Sequence, residues 1–312
     1  MVKVCIDKYK EVSKANDTAG FYMDGTLKKQ LDIMLKNVKH DWDFTIIISG
    51  GGMVRVGKSV LALQIAEYWT SEINKLFKKN LNFNIKDNIV FNGGDLIEKG
   101  NHLGKNKPMS ALVFDEAGAD LEGRKSMLTS TRQVIDFFRE CGQYNLLNIL
   151  VIPEFFDLPK GIAVSRSIFL LDVYFDTSSE GIFQRGRFKF YSQRNKKHLY
   201  LKGKRELNYN AQPYNFVGRF TNFYPVNEQD YRKEKQFALQ KRGELYKHNA
   251  LKVRDVFIYI LKTENNFSYR ELQEYITKQT GVYLSKGTLE LSMAKGKKVN
   301  EEMKRMYSNR EV

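Results

Sequence analysis

Gly52-Met53-Val54-Arg55-Val56-Gly57-Lys58-Ser59 places two glycines, a lysine and a hydroxyl at the spacing of a phosphate-binding loop. The apolar run Phe44-Thr45-Ile46-Ile47-Ile48 stands just before it, and Val60-Leu61-Ala62-Leu63-Gln64-Ile65-Ala66 follows with helical period. Strand, glycine-rich turn and helix, in that order, form the setting in which such a loop works. Glycines at 50, 51, 52 and 57 let the backbone turn its N–H groups inward, and the next helix adds partial positive charge at its N-terminus. The stretch therefore predicts a site for ATP in which Gly52, Gly57, Lys58, Ser59 and Val60 surround the phosphates. Lys58 is the candidate for the β- and γ-groups, and the Ser59 hydroxyl is a candidate Mg²⁺ ligand.

A second motif points from binding to hydrolysis. Ala111-Leu112-Val113-Phe114 reads as a short buried strand ending in Asp115-Glu116, roughly 55 residues beyond the loop. Asp115 at such a strand end can hold Mg²⁺ opposite Ser59, and Glu116 can polarise the attacking water as general base. Nucleotide kinases and Ras-like switches usually lack that glutamate, so the pair favours an ATPase.

The chain has 312 residues, enough for one α/β domain and a small appendage, and at 42% hydrophobic and 13% aromatic it can bury a large core. Cys5 and Cys141 fit no disulfide or metal framework, and His40, His102, His198 and His248 show no ligand spacing. The first residues lack a signal-peptide core and no apolar run approaches a membrane span, so a cytoplasmic protein without membrane insertion is expected. The net charge of +15 points to a polyanion, DNA first, with simple solubility as the bland alternative.

Four segments are expected. Residues 1–42 form a helical lead-in with Leu27, Leu31, Met34, Leu35 and Val38 on one apolar stripe. Residues 43–205 form the ATPase core, with strands at 44–49, 88–92, 111–115, 146–152 and 167–175 and helices at 58–76 and 129–142. Within 181–205 there are nine Lys or Arg and no acidic residue. Arg187-Phe188-Lys189-Phe190 and His198-Leu199-Tyr200-Leu201-Lys202 alternate on either side of a polar turn, which predicts a basic β-hairpin. Such a ribbon could track DNA phosphates, with Tyr191 or Tyr200 stacking on bases, or could be an edge hairpin guarded by lysines.

Residues 206–248 read as a connector ending in a charged helix at about 227–246. Residues 249–312 read as three short helices, the second opened by the capping box Ser268-Tyr269-Arg270-Glu271 and closed by Gly281, the third capped by Ser285. This module is helix-turn-helix-like, with Lys286, Thr288, Glu290 and Ser292 toward a major groove, or else a small bundle that docks a protein partner.

With both motifs and the added strand Leu146–Ile152 in hand, the chain resembles an FtsK/HerA-type P-loop ATPase of the additional-strand (ASCE) division. More narrowly, residues 26–240 resemble ATPases of phages, archaeal viruses and mobile elements. The matching stretches are Asp41-Trp42-Asp43-Phe44, Asp115-Glu116-Ala117, Arg124-Lys125-Ser126-Met127, Ile149-Leu150-Val151-Ile152-Pro153 and Gly218-Arg219-Phe220-Thr221. The resemblance implies a RecA-like fold with a mainly parallel sheet and a ring, usually hexameric, of identical subunits that translocates DNA. A ring also implies an arginine acting in trans on the γ-phosphate, for which Arg166 and then Arg139 are the candidates, with Arg124 and Arg132 behind them. One departure stands out. The family usually ends the strand after the acidic pair with a γ-phosphate-sensing glutamine, where this chain has Glu154, leaving Asn148 or another group to sense.

The leading expectation is a DNA-translocating ATPase of a virus or mobile element, in packaging or transfer. The alternatives are an AAA+-like ATP-switch loader and a DNA-binding regulator with low turnover. No nuclease motif is apparent, and a small-molecule kinase fits neither Glu116 nor the charge.

Overall fold

The computed structural model describes residues 4–5, 21–121 and 129–308, and the chain divides into two compact units, residues 1–235 and 236–312. Short apolar runs become the strands of the first unit. β1 (Phe44–Ser49), β2 (Ile89–Val90), β3 (Ala111–Phe114), β4 (Leu147–Val151), β5 (Phe169–Thr177), β6 (Phe183–Tyr191) and β7 (Phe216–Arg219) form one sheet in the order β2-β3-β4-β1-β5-β6-β7. The first five in that order run parallel, and β6 and β7 add on antiparallel. β4 lies between β1 and β3, so the added strand separates the phosphate-loop strand from the acidic strand. Every residue of β1, β3 and β4 is buried, as expected for parallel strands covered on both faces.

Helices cover that sheet. α1 (Gly25–Val38) starts where the Asp24 carboxylate accepts the N–H groups of Thr26 and Leu27 at 2.9 and 3.1 Å. Its buried residues are the five of the predicted stripe, Leu27, Leu31, Met34, Leu35 and Val38. α2 (Lys58–Phe77) follows the phosphate loop, and Trp69 Nε1–H satisfies the Met109 carbonyl at 2.8 Å. α3 (Gly93–Asn106) and α4 (Thr129–Glu140) pack on one another through Leu96, Leu103, Val134, Phe137 and Phe138 in the main core.

The expected basic hairpin is corrected in its second arm. β5 and β6 do form an antiparallel hairpin, but residues after Tyr191 turn into a helix, α5 (Gln193–Gly203). Lys196, Leu199, Tyr200 and Gly203 are its buried face, spaced i, i+3, i+4 and i+7. The alternation at 198–202 concealed that period because its first member is a lysine. Lys196 is fully buried, and its ammonium donates to the Ala163 carbonyl, to Ser167 Oγ at 2.7 Å and to the Val164 carbonyl at 3.3 Å. Tyr191 and Tyr200 are buried too, with hydroxyls donating to the carbonyls of Tyr209 and Leu158, so neither offers a ring to a base.

The expected connector helix and the first helix of the module are one helix, α6 (Glu228–Glu264), whose residues 228–235 belong to the first unit and the rest to the second; the lone Gly243 does not interrupt it. α7 (Tyr269–Thr280) and α8 (Lys286–Ser308) complete the helices of that unit. The capping box is present: Glu271 N–H donates to Ser268 Oγ at 3.2 Å and Ser268 N–H to Glu271 Oε2 at 2.7 Å. Ile258, Leu261, Leu272 and Leu289 form its small core. Ser292, expected on an exposed face, is instead buried and accepts from Arg254 at 3.1 Å, whereas Lys286 and Glu290 are exposed. Among the described residues no helix is long and apolar enough to cross a membrane.

Candidate functional site

The phosphate loop leaves the end of β1 at Gly50 and folds back on β4, because the Gly50 and Gly52 N–H groups both donate to the Pro153 carbonyl, at 3.3 and 2.9 Å. Gly57 must be glycine. Its φ is +102°, and an added Cβ would stand 3.0 Å from the Phe220 ring. Lys58 then opens α2, with its ammonium donating to the Met53 carbonyl across the loop. Burial lowers the Lys58 pKa, a fall opposed by the charges of Glu116 and Asp115.

β3 delivers the acidic pair to the same place. The Ser59 hydroxyl lies 3.2 and 3.1 Å from Asp115 Oδ1 and Oδ2, across 56 residues of sequence. Asp115 is 1% exposed, and its Oδ1 also accepts the Glu116 N–H at 3.1 Å. Glu116 has a φ of +61°, a left-handed backbone that a side-chain-bearing residue adopts at a cost. That twist turns the chain out of β3 and sets Glu116 on the rim of the cleft, half-buried beside its buried neighbour.

The cleft encloses about 550 Å³ and is lined by Lys58, Ser59, Asp115, Glu116 and Val60 among others. The rest of its lining comes from the segment expected to be a connector, through Asn222, Tyr224, Tyr231, Arg232 and Lys235, joined by Arg185 of β6. Gln64 of α2 anchors that segment, its Nε2 donating to the carbonyls of Thr221 and Phe223 at 2.7 and 2.8 Å. Tyr231 donates its hydroxyl to Asp115 Oδ2, and Lys235 makes ion pairs of 3.0 Å with Asp115 and 2.7 Å with Glu116. Burial alone would lower the Lys235 pKa, but the charges of Asp115 and Glu116 outweigh it and raise it. A Tyr and a Lys one helical turn apart were the available signal, and nothing in their spacing distinguishes them from a solvated helix face.

These residues fit a metal–nucleotide ligand. Left-handed glycines at 51, 52 and 57 let the loop backbone curl, and a hydroxyl and carboxylate converge within 3.2 Å beside it. Lys58 and the loop backbone would hold the phosphates, and Ser59 and Asp115 would hold Mg²⁺. Bound there, the ion would neutralise phosphate charge.

Arg166 and Arg139 are not brought to this cleft. Arg166 precedes β5 at the opposite end of the sheet, where its guanidinium donates to Asp43 and to the Phe138 carbonyl. Arg139 pairs with Asp136 at 2.9 Å on the exposed face of α4, Arg132 is exposed on the same helix, and Arg124 lies outside the described residues. Asn148 pairs in register with Thr45 near the start of β1, and its Nδ2 lies 3.7 Å from Cys141 Sγ, far from the loop. Glu154, where the resemblance implies a glutamine, is drawn to Tyr209, whose hydroxyl donates to its Oε1 at 2.6 Å, and to the Phe156 N–H at 3.1 Å.

The chain is similar to two solved virus proteins. The genome-packaging NTPase of Sulfolobus turreted icosahedral virus 2, solved with ATP-gammaS, aligns at 14% identity and a TM-score of 0.32, covering 49% of this chain and 94% of that one. The DNA-packaging ATPase of Sulfolobus turreted icosahedral virus aligns at 18% identity and a TM-score of 0.32, covering 50% and 95%. No protein-family model and no curated protein matches the chain.

Proposed function

We propose that this protein is a Mg²⁺-dependent ATPase that works on DNA as a ring of identical subunits, in translocation, packaging or transfer. The observation that carries the reading is the meeting of Ser59 and Asp115 at 3.1–3.2 Å in a cleft that also holds Lys58 and Glu116. Lys58 and the loop N–H groups bind and orient the phosphates. Asp115, with Ser59, holds the divalent ion, and Glu116 takes the proton from the attacking water. DNA as the polyanion is supported by the +15 net charge and by the exposed Arg194, Lys197, Lys202, Lys204 and Arg205 on and just after α5. Part of the β6 charge is committed elsewhere: Arg187 pairs with Asp176 at 2.9 Å, and Lys189 sits over the rings of Tyr174 and Tyr214. The helical unit at residues 236–312 recruits the DNA or a protein partner.

A second reading, an ATP-gated loader with little turnover, is favoured by Lys235, which holds the proposed general base in an ion pair. ATP hydrolysis by the purified protein with Mg²⁺, alone and with long double- or single-stranded DNA, separates the two. Strong stimulation by DNA, abolished in Lys58→Ala and Glu116→Gln, is expected of the motor. Tight ATP binding with slow turnover that DNA does not change would establish the loader instead.

A further inference from the structure

Asp115 already has as many donors as a carboxylate can serve. Its two oxygens face the Ser59 hydroxyl at 3.1 and 3.2 Å, the Glu116 N–H at 3.1 Å, the Tyr231 hydroxyl and the Lys235 ammonium at 3.0 Å. A carboxylate offers about four lone-pair sites. Asp115 therefore has no acceptor left for the water shell of a divalent cation until one donor leaves.

Three of the four are poorly placed to go. Ser59 is itself a candidate ligand, and the Glu116 N–H belongs to the backbone. Tyr231 is 3% exposed and wedged between the rings of Phe91 and Tyr224, with centroids at 6.0 and 5.9 Å. Lys235 differs. A quarter of its side chain reaches solvent, it stands on a flexible four-carbon stem, and it bridges both acidic residues rather than one. It is also a cation 3.0 Å from the Asp115 carboxylate that would hold a metal, so the two charges cannot occupy the position together.

We propose that Lys235 is a displaceable resident cation at the metal position: its ammonium neutralises Asp115 and Glu116 in the nucleotide-free protein and must swing away before a metal–nucleotide complex is seated. Tyr231 is its fixed companion, keeping Asp115 oriented while Lys235 comes and goes. The competition raises the Mg²⁺ concentration needed for loading. It also releases Glu116 for chemistry only when the metal position is filled. This inference rests on the ATP reading of the cleft.

The test is the Mg²⁺ dependence of binding a fluorescent, slowly hydrolysed ATP analogue. Lys235→Met is expected to lower the Mg²⁺ midpoint by about tenfold or more, because a charge a few ångströms from the ion is removed. Lys235→Arg, which keeps the charge, is expected to stay near the wild-type midpoint. An unchanged or raised midpoint in Lys235→Met, with wild type binding normally, overturns the inference and leaves the ATP site standing. Failure of wild type to bind the analogue at any Mg²⁺ concentration overturns the ATP site and the inference with it. Amine labelling read by mass spectrometry needs no variant. Lys235 of the wild-type protein should label several-fold faster once Mg²⁺ and the analogue are added, and labelling that stays the same or slows counts against displacement.

Discussion

The Tyr209 hydroxyl donates to Glu154 Oε1 at 2.6 Å, and this bond lies directly behind the phosphate loop. The other carboxylate oxygen of Glu154 would stand 3.7 Å from a Cβ built on Gly52. A negative group is thus held close to this loop by a phenol and the Phe156 N–H on its far side. The arrangement accounts for how an acidic residue is accommodated beside the loop.

Tyr209→Phe should therefore weaken nucleotide binding several-fold by leaving the Glu154 charge without its partner. Glu154→Gln in the same chain should restore most of the loss, since it removes the charge rather than its neighbour. A double-mutant cycle on dissociation constants reads the coupling, and strictly additive effects would show that the pair does not influence the loop.

Asp172 on β5 accepts from Ser49 at 3.2 Å and pairs in register with Lys189. Burial raises its pKa from an ordinary 3.8 to about 6. A raised carboxyl favours the folded state below pH 3.8, and that contribution is lost as pH rises through about 6. Asp172→Asn should thus gain stability relative to wild type as pH climbs across this window, by at most about 3 kcal/mol, with the gain gone near pH 4. Urea midpoints at pH 4, 6 and 8 measure it.

Lys196 has the opposite sign. Burial lowers its pKa to about 7, so its contribution is present above the ordinary 10.5 and is lost as pH falls through 7. Lys196→Met leaves the Ala163 and Val164 carbonyls and Ser167 Oγ without their donor, at a cost of about 1–3 kcal/mol. The destabilisation should be larger at pH 9 than at pH 6. A pH-independent difference would mean that the amine keeps its proton throughout.

Arg166→Ala should unfold the protein more readily, by about 3 kcal/mol, because Asp43 and the Phe138 carbonyl lose a largely buried partner. An arginine reserved for a neighbouring subunit would instead leave thermal stability unchanged and lower turnover in the assembled ring. The melting temperature of the isolated protein distinguishes these.

Local chemistry made much of this architecture readable. The convergence of Gly57, Lys58, Ser59 and Asp115 was legible because a glycine turn and an acidic pair each follow a buried parallel strand at the same end of the sheet, and β1, β3 and β4 were legible because continuous apolar runs must be buried on both faces. Helix α5 was misread since its first core residue is a cation satisfied by three acceptors, which no hydrophobic pattern registers. Arg166 looked available from its position before a strand, whereas its partner Asp43 lies 123 residues away in sequence. Tyr231 and Lys235 were invisible for the same reason. Their role comes from a contact about 120 residues distant, not from their neighbours on the helix.

The ends of the sheet have a bearing on assembly. β2 offers two residues, and β7 offers four before the chain is bridged at Phe220 by Met23. Among the described residues, neither margin presents the long row of open peptide groups on which another chain could add a strand. In the proposed ring, subunits would meet through side chains and loops, contacts that can slide or reset, and not through a shared backbone ladder that would lock them together.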